Sequence, residues 1–398
     1  MRVSAGDIKR ALSKDELVFY YQPKVAFLTG QVSGAEALIR WERDDGRVIR
    51  AADLIPVAEA NGLLPEITEQ MFPRLLEDFQ RSQAERSDAT VALNISAADL
   101  DGPRLLALVQ EAIERGAIDG ERLQLEVTEG AVVSSSGAVM HTLASLNAAG
   151  IELSMDDYGT GFSSLETLNR LPFSEIKMDQ SFTLQIMHSE KSEALVKATV
   201  AMAQMLGART VVEGIESEAI YWALLRSGCT EGQGYWISHP LPLAEYLSFL
   251  RSGRHWPSSP VGLLRATQVA YLWQYKQIVD AVFAFLQKQR VPEMIHRLSI
   301  KHTECALGQW YHGQGRAFAG EKDFDALERP HRAMHKIYRK ILAAMLKGHA
   351  DRPVLEEMLE EINENCCLVS AHLQKLETKL LIGELQVAVD HSSTVQVG

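Results

Sequence analysis

Between residue 14 and about residue 250, eight short apolar, β-rich runs alternate with longer segments of helical period, and this alternation limits the fold more than any other feature of the chain. The runs are Leu17 to Tyr21, Ser33 to Trp41, Thr90 to Ile95, Leu123 to Val127, Ile151 to Met155, Glu175 to Met178, Thr210 to Val212 and Gly234 to Ile237. Strands separated by helices pair in parallel. Eight of them predict an α/β fold, a (β/α)8 TIM-like barrel over residues 1–252. The opening MRVSAGDIKRALSKDEL lacks the apolar stretch of a signal peptide and reads as a short helix.

The texture changes at RSGRHWPSSP, where Pro257 and Pro260 flank two serines, so residues 253–262 are expected to form a linker. Beyond it, Leu263 to Gln289, Asp325 to Lys347 and Pro353 to Leu385 carry helical periodicity and no strand pattern. They predict an all-α antiparallel helical bundle over 263–388, followed by a frayed tail, 389–398.

Composition narrows the function. With 52 acidic against 40 basic residues the net charge is -12, which disfavours a DNA or RNA polymer as partner and means that an anionic substrate needs bound cations. No uninterrupted apolar run approaches the roughly 18 residues of a membrane span. Of the four cysteines, Cys366 and Cys367 are neighbours and rarely pair with each other, so the reading is a reducing, cytoplasmic location without a disulfide framework. On their predicted helix the same two cysteines are expected to pack rather than share a metal, and Cys229 to fill a gap near the last strand.

Acidic and amide residues fall within or just after the apolar runs: Glu36, Asn94, Glu126, Asp156, Asp157 and Glu213, with Lys177 among them. In a barrel, strand ends converge on one face, which would gather these residues in space. Adjacent Asp156 and Asp157 would repel each other without a cation. Hard divalent cations such as Mg²⁺ or Mn²⁺ take oxygen ligands of this kind, and a pair of them activates water against a phosphodiester. None of these positions is a histidine, which disfavours zinc in the barrel.

The ordered set GAEALIRW, YYQPKV, LNIS, LEVTE, DDYGTGFSS, IKMDQSF, VEGIE and GQGYWISHPLP resembles the EAL family across roughly residues 5 to 250. That resemblance implies a phosphodiesterase that opens cyclic di-GMP to linear pGpG. It also implies that Glu36, Asn94, Glu126 and Asp156 hold one metal, with Asp156 bridging to a second held by Asp157 and Glu213. Lys177 would orient the attacking water, and Glu129 would steady the DDYGTG loop, where Gly159 and Gly161 permit a tight turn. Gln22, Leu38, Arg40 and Gln233 would contact the dinucleotide, and Arg40 suits a phosphate oxygen. Asp179 and Glu216 read equally well as loop caps. A homodimer is the family's common form.

CALGQWYHG from Cys305 and PHRAMH with His331 and His335 resemble the chemoreceptor zinc-binding (CZB) family over roughly residues 265 to 386. Histidines at i and i+4 lie on one helical face and can grip one Zn²⁺, with the Cys305 thiolate as third ligand. The family also supplies a histidine on its first helix, where this chain reads YLWQYKQIV with Trp273, Gln274 and Tyr275. His302 or His296 is then the candidate for the fourth position, or a water. Three readings follow: a cyclic di-GMP hydrolase governed by zinc or thiol state, a catalytically silent cyclic di-GMP adaptor signalling through the bundle, and a bundle that only docks or dimerises. No GGDEF-like segment occurs, so synthesis of the messenger is not expected.

Overall fold

The computed structural model describes residues 3–27, 29–86, 88–133, 137–159, 173–206, 208–287, 301–303, 305–312, 314–346 and 352–382. The chain divides into two compact units, the first made of Met1–Ala203 and Arg209–Pro257 and the second of Gln204–Ala208 and Ser258–Gly398.

Among its described residues the first unit holds ten strands: β1 (Leu17–Ala26), β2 (Gln31–Glu42), β3 (Val48–Arg50), β4 (Thr90–Ile95), β5 (Leu123–Thr128), β6 (Glu152–Tyr158), β7 (Glu175–Met178), β8 (Arg209–Val212), β9 (Glu231–Gly232) and β10 (Leu241–Pro242). From β2 through β4, β5, β6, β7 and β8 to β9, each strand pairs in parallel with the next. β1 closes the ring by pairing antiparallel with both β2 and β9, giving an eight-stranded barrel, while β3 and β10 are short additions. The all-parallel expectation therefore needs correcting at β1. Only residues 27–30 separate β1 from β2, far too few for a helical crossover, so the two must form a hairpin. Gly30 turns that hairpin with φ +65°, and its carbonyl accepts from the Trp256 N–H at 2.8 Å.

A second correction concerns the last run. Gly234 to Ile237 is not a strand: the N–H groups of Ile237 and Ser238 both donate to the Gly234 carbonyl at 3.0 Å, a helical turn, and the closing strand is the two-residue β9 before it. The other expected runs lie in strands, with β6 extending on to Tyr158.

Buried residues alternate sharply in character along the strands. In β5, Leu123, Leu125 and Val127 alternate with Gln124 and Glu126, and in β7, Ile176 and Met178 alternate with Glu175 and Lys177. The apolar set packs outward on the helices: Val25, Met178 and Val212 join Val196 and Val200 of helix Glu190–Met205 and Tyr221, Leu224 and Leu225 of helix Glu218–Ser227 in one core cluster. Cys229 is buried in the same cluster. The polar set points into the barrel, since Lys24 on β1 reaches Glu126 and Glu175 on strands that are not its neighbours. At the N-terminus, helix Ala5–Ser13 starts from a capping box, with the Asp7 N–H donating to Ser4 Oγ at 3.2 Å and the Ser4 N–H donating to Asp7 Oδ2 at 3.1 Å.

The second unit is helical among its described residues, with main helices Pro260–Leu286, Ala306–His312, Glu328–Leu346 and Arg352–Leu381. Helix Arg352–Leu381 packs on both Pro260–Leu286 and Glu328–Leu346. It buries Leu355, Ile362, Cys366, Val369, Leu373 and Leu376, one apolar stripe at helical spacing. Cys366 is buried and Cys367 exposed, so the adjacent thiols face different surroundings. The expected frayed tail lies outside the described residues.

Candidate functional site

Strand register assembles the barrel mouth. Gln22 on β1 pairs with Glu36 on β2, Asn94 on β4 pairs with Glu126 on β5, and Thr128 pairs with Asp156 on β6. Glu36 lies level with Ala92 and Lys177 with Val211, which places Asn94 and Glu213 two residues further towards the same rim.

The ammonium of Lys177 stands at the centre. Its Nζ lies 2.6 Å from Glu126 Oε2, 2.8 Å from Glu213 Oε1, 3.0 Å from Asp156 Oδ1 and 3.4 Å from Glu36 Oε2. Lys177 is only 1% exposed, and Glu36 and Glu126 are equally shut from solvent at 5% and 1%. Glu36 is further held by the side-chain amides of Asn94 (2.6 Å) and Gln233 (2.7 Å), and Gln233 also donates to Glu213 at 3.3 Å. Beneath this layer Lys24 sits 3.6 Å from Glu126 Oε1 and 3.7 Å from Glu175, and donates to Gln124 at 2.5 Å.

These contacts split the carboxyls. Burial pushes Glu36 up, but the Lys177 ammonium and the amide donors of Gln233 and Asn94 more than reverse it, leaving a pKa of about 2. Burial and then the Glu36 charge drive Glu126 well above the usual carboxyl range, against the pull of Lys177 and Lys24. Glu213 rises to about 7 through burial, partly offset by Lys177. Burial alone would neutralise Lys177, yet Glu126, Glu213, Glu36 and Asp156 together raise its pKa well above the ordinary lysine value.

Four carboxylates face one ammonium in this cluster, and the buried Glu126 Oε1 and Asp156 Oδ1 make no hydrogen bond. Oxygen-only donors, excess negative charge and buried acceptors of this kind fit hard divalent cations. Asp157 departs from its neighbours: it has φ +55°, an exposed side chain, and lies where the β6–β7 pairing slips between Met155 and Tyr158. The slip breaks the two-residue alternation that would otherwise send Asp156 and Asp157 to opposite faces.

Glu129 is buried and accepts the Gly159 N–H at 3.3 Å, where Gly159 has φ +96°. Gly161 lies outside the described residues. Gln22 donates to the Ser238 carbonyl at 3.3 Å. Half-buried Leu38 and Arg40 lie on β2 beyond Glu36, with Arg40 over the Tyr20 ring, its carbon 5.7 Å from the centroid. Asp179 caps helix Gln180–Gln185 by accepting the Ser181 N–H at 2.9 Å.

In the second unit, helix Glu328–Leu346 points His331 and His335 inward, and Cys305 meets them from the turn before helix Ala306–His312. Donor atoms of Cys305, His331 and His335 lie within 4.8 Å of one another, all three residues are buried, and Cys305 Sγ is 3.1 Å from His331 Nε2. Burial, reinforced by the His335 and His302 rings, lowers His331 to about 3, keeping it the neutral imidazole a metal requires. Burial raises the Cys305 thiol. One thiol and two imidazoles fit zinc. His302 has its ring 6.2 Å from His331 and 6.5 Å from His335, but its donor atoms group with His312 and Glu328. His296 lies outside the described residues, as do the side chains of Trp273 and Gln274. Tyr275 donates to Asn363 at 3.1 Å, and the first-helix ring facing the cluster is that of buried Tyr271, 6.2 Å from His331.

The fold and its rim define a (β/α)8-type barrel whose mouth concentrates acid groups around one buried cation, joined to a helical unit with a cysteine and histidine cluster. The EAL domain model matches residues 5–240, and the chain belongs to that family. The chemoreceptor zinc-binding domain model matches residues 276–342.

Among curated relatives, the bifunctional diguanylate cyclase/cyclic di-GMP phosphodiesterase MucR of Pseudomonas aeruginosa is 35% identical over 61% of this chain and 36% of its own. The cyclic di-GMP phosphodiesterase RocR of the same organism is 31% identical over 62% of this chain and 63% of its own. The chain thus spans about a third of MucR and less than two thirds of RocR. A solved PaMucR phosphodiesterase in complex with c-di-GMP has TM-score 0.55 and 36% identity, covering 61% of this chain and 98% of that one. The EAL enzyme Bd1971, bound to cAMP and cyclic di-GMP, has TM-score 0.59 and 26% identity over 62% of this chain and 67% of its own. No described helix is long and apolar enough to cross a membrane.

Proposed function

We propose that the barrel is a phosphodiesterase that adds water across one phosphodiester of cyclic di-GMP and releases linear pGpG. The observation that carries this reading is the convergence of Glu36, Glu126, Asp156 and Glu213 around the Lys177 ammonium. It is supported by relatives whose names record the same substrate and reaction.

Glu36, Asn94, Glu126 and Asp156 would hold one divalent cation, Mg²⁺ or Mn²⁺, and Asp156, Asp157 and Glu213 a second; when bound, such a pair lowers the pKa of water and neutralises developing phosphate charge. The protein's own part is positional. Asn94 and Gln233 fix the Glu36 carboxylate from both sides. Lys177, cationic throughout the neutral range, keeps a fixed positive charge beside the acids and favours hydroxide over water in its vicinity. Glu129 fastens the start of the loop after β6 through Gly159. Gln22, Leu38 and Arg40 line the strands next to Glu36 and would receive the dinucleotide, with Arg40 on a phosphate oxygen.

In the same proposal the Cys305, His331 and His335 cluster holds Zn²⁺ and reports metal or thiol state to the barrel, because ligation and oxidation compete for one sulfur. The chain works in a reducing cytoplasm, where thiols persist, and as a homodimer. Incubating the purified chain with cyclic di-GMP and Mg²⁺ or Mn²⁺ should release pGpG, resolved by chromatography, and Glu36→Ala should abolish release. Stoichiometric binding without product in either cation would instead establish a silent adaptor.

A further inference from the structure

A second constellation of metal-binding groups lies beside the cysteine and histidine cluster and takes no part in it. One ring nitrogen each of His302 and His312 and a carboxylate oxygen of Glu328 lie within 4.8 Å of one another. We propose that these three side chains form a second metal site, open to solvent, for a borderline divalent cation of the zinc class (Zn²⁺, Co²⁺ or Ni²⁺).

Three separate pieces of backbone deliver the ligands. His302 sits in the turn ahead of helix Ala306–His312, His312 ends that helix, and Glu328 opens helix Glu328–Leu346. Two imidazoles and one carboxylate are a recurrent three-ligand donor set for zinc, with the remaining position left to water. The exposure pattern agrees, since His302 and Glu328 are half-buried and His312 is exposed.

The surrounding charges suit this role. Glu328 accepts from Arg332 Nη2 at 2.5 Å through Oε1, which holds the carboxylate in place. The Arg332 and Arg339 charges also repel a dication, which weakens binding at this exposed site.

The two sites share their supports. Glu328, His331 and His335 fall at i, i+3 and i+7 of one helix, hence on one face, and His302 and Cys305 are three residues apart in the same turn. A cation bound at one site therefore fixes the backbone that presents ligands to the other. The buried cluster is the one that retains metal, and the exposed site is the one that fills and empties with free metal. This inference holds whether or not the barrel hydrolyses cyclic di-GMP.

The test uses the full chain, stripped with a chelator and reloaded with Co²⁺. Thiolate-to-cobalt charge transfer reports Cys305, and total metal is counted by elemental analysis. His312→Ala, His302→Ala and Glu328→Gln should each lose one equivalent of Co²⁺ relative to wild type, with the charge-transfer band unchanged. Cys305→Ser should lose the band and keep that equivalent. Metal in the barrel is common to wild type and the four variants and cancels in the comparison. His312 is exposed, so its replacement leaves the helical circular dichroism intact. Equal metal content in wild type and His312→Ala would overturn the proposal. So would a weakened charge-transfer band in His302→Ala or His312→Ala, because these residues would then belong to the Cys305 centre.

Discussion

Replacing Lys177 with methionine isolates the contribution of the central ammonium, because methionine fills the aliphatic stem and removes only the charge. The side chain is 1% exposed and lies between 2.6 and 3.4 Å from four carboxylates, so solvent screening is weak and no water can take its place. Breaking a buried ion pair from one side costs about 3–5 kcal/mol. For a domain of this size, each kcal/mol lowers Tm by about 2–4 °C, so the barrel transition of the metal-free variant should fall by on the order of 10 °C in scanning calorimetry. Lys177 holds Glu36 near 2, below its unfolded value of 4.5, and a depressed carboxyl stabilises above the unfolded value and loses that effect as pH falls. The gap between wild type and variant should therefore narrow from pH 4.5 down to about 2. Mn²⁺ should raise the variant's Tm more than the wild type's, since no ammonium competes for the same oxygens. A loss under about 1 kcal/mol, the range of exposed ion pairs, together with equal responses to Mn²⁺, would refute the reasoning.

Gly159→Ala should destabilise the barrel by about 1–3 kcal/mol, since φ +96° disfavours any side chain and a Cβ there would collide with the Phe182 ring; chemical denaturation measures it, and an unchanged midpoint would mean that the turn relaxes. Cys305→Ser should remove most of the zinc-dependent stabilisation of the helical unit, which for one site amounts to about 2.7 kcal/mol at free zinc near 100 times Kd. Calorimetry with and without chelator would show it, and a variant that responds as strongly as wild type would remove the sulfur from the ligand set.

How much of this was legible follows from local chemistry. Seven of the eight apolar runs lie in barrel strands because β-branched and aliphatic residues there are buried whatever their partners. The eighth misled for the same reason: Trp236 and Ile237 do pack into the core, but from a turn, and an apolar run alone does not distinguish the two. The direction of β1 was readable in principle from the four residues before β2, which leave no room for a crossover. The rim acids stood out because charged residues at strand ends have few structural reasons to be there. Gln124 and Glu175, which support them from below, were hidden inside runs read for hydrophobicity, and Lys24 lies just past the end of the first run. Their signal was the period of two that places a polar residue between apolar ones in YQPKV, LQLEV and SEIKM. In the helical unit, Cys305, His331 and His335 were found through motif spacing, whereas His312 and Glu328 belong to no such spacing and meet His302 only in three dimensions.

The alternation along the barrel strands has a wider consequence. Because Leu125 and Glu126, or Ile176 and Lys177, are neighbours in the chain yet face different surroundings, folding and chemistry are written on opposite sides of the same ribbons. Selection or design can revise the inward set to change what the mouth does while the outward set goes on holding the helices. A single-residue insertion in any of these strands would exchange the two roles at once, so such insertions should be tolerated in the connecting loops and rejected within the ribbons themselves.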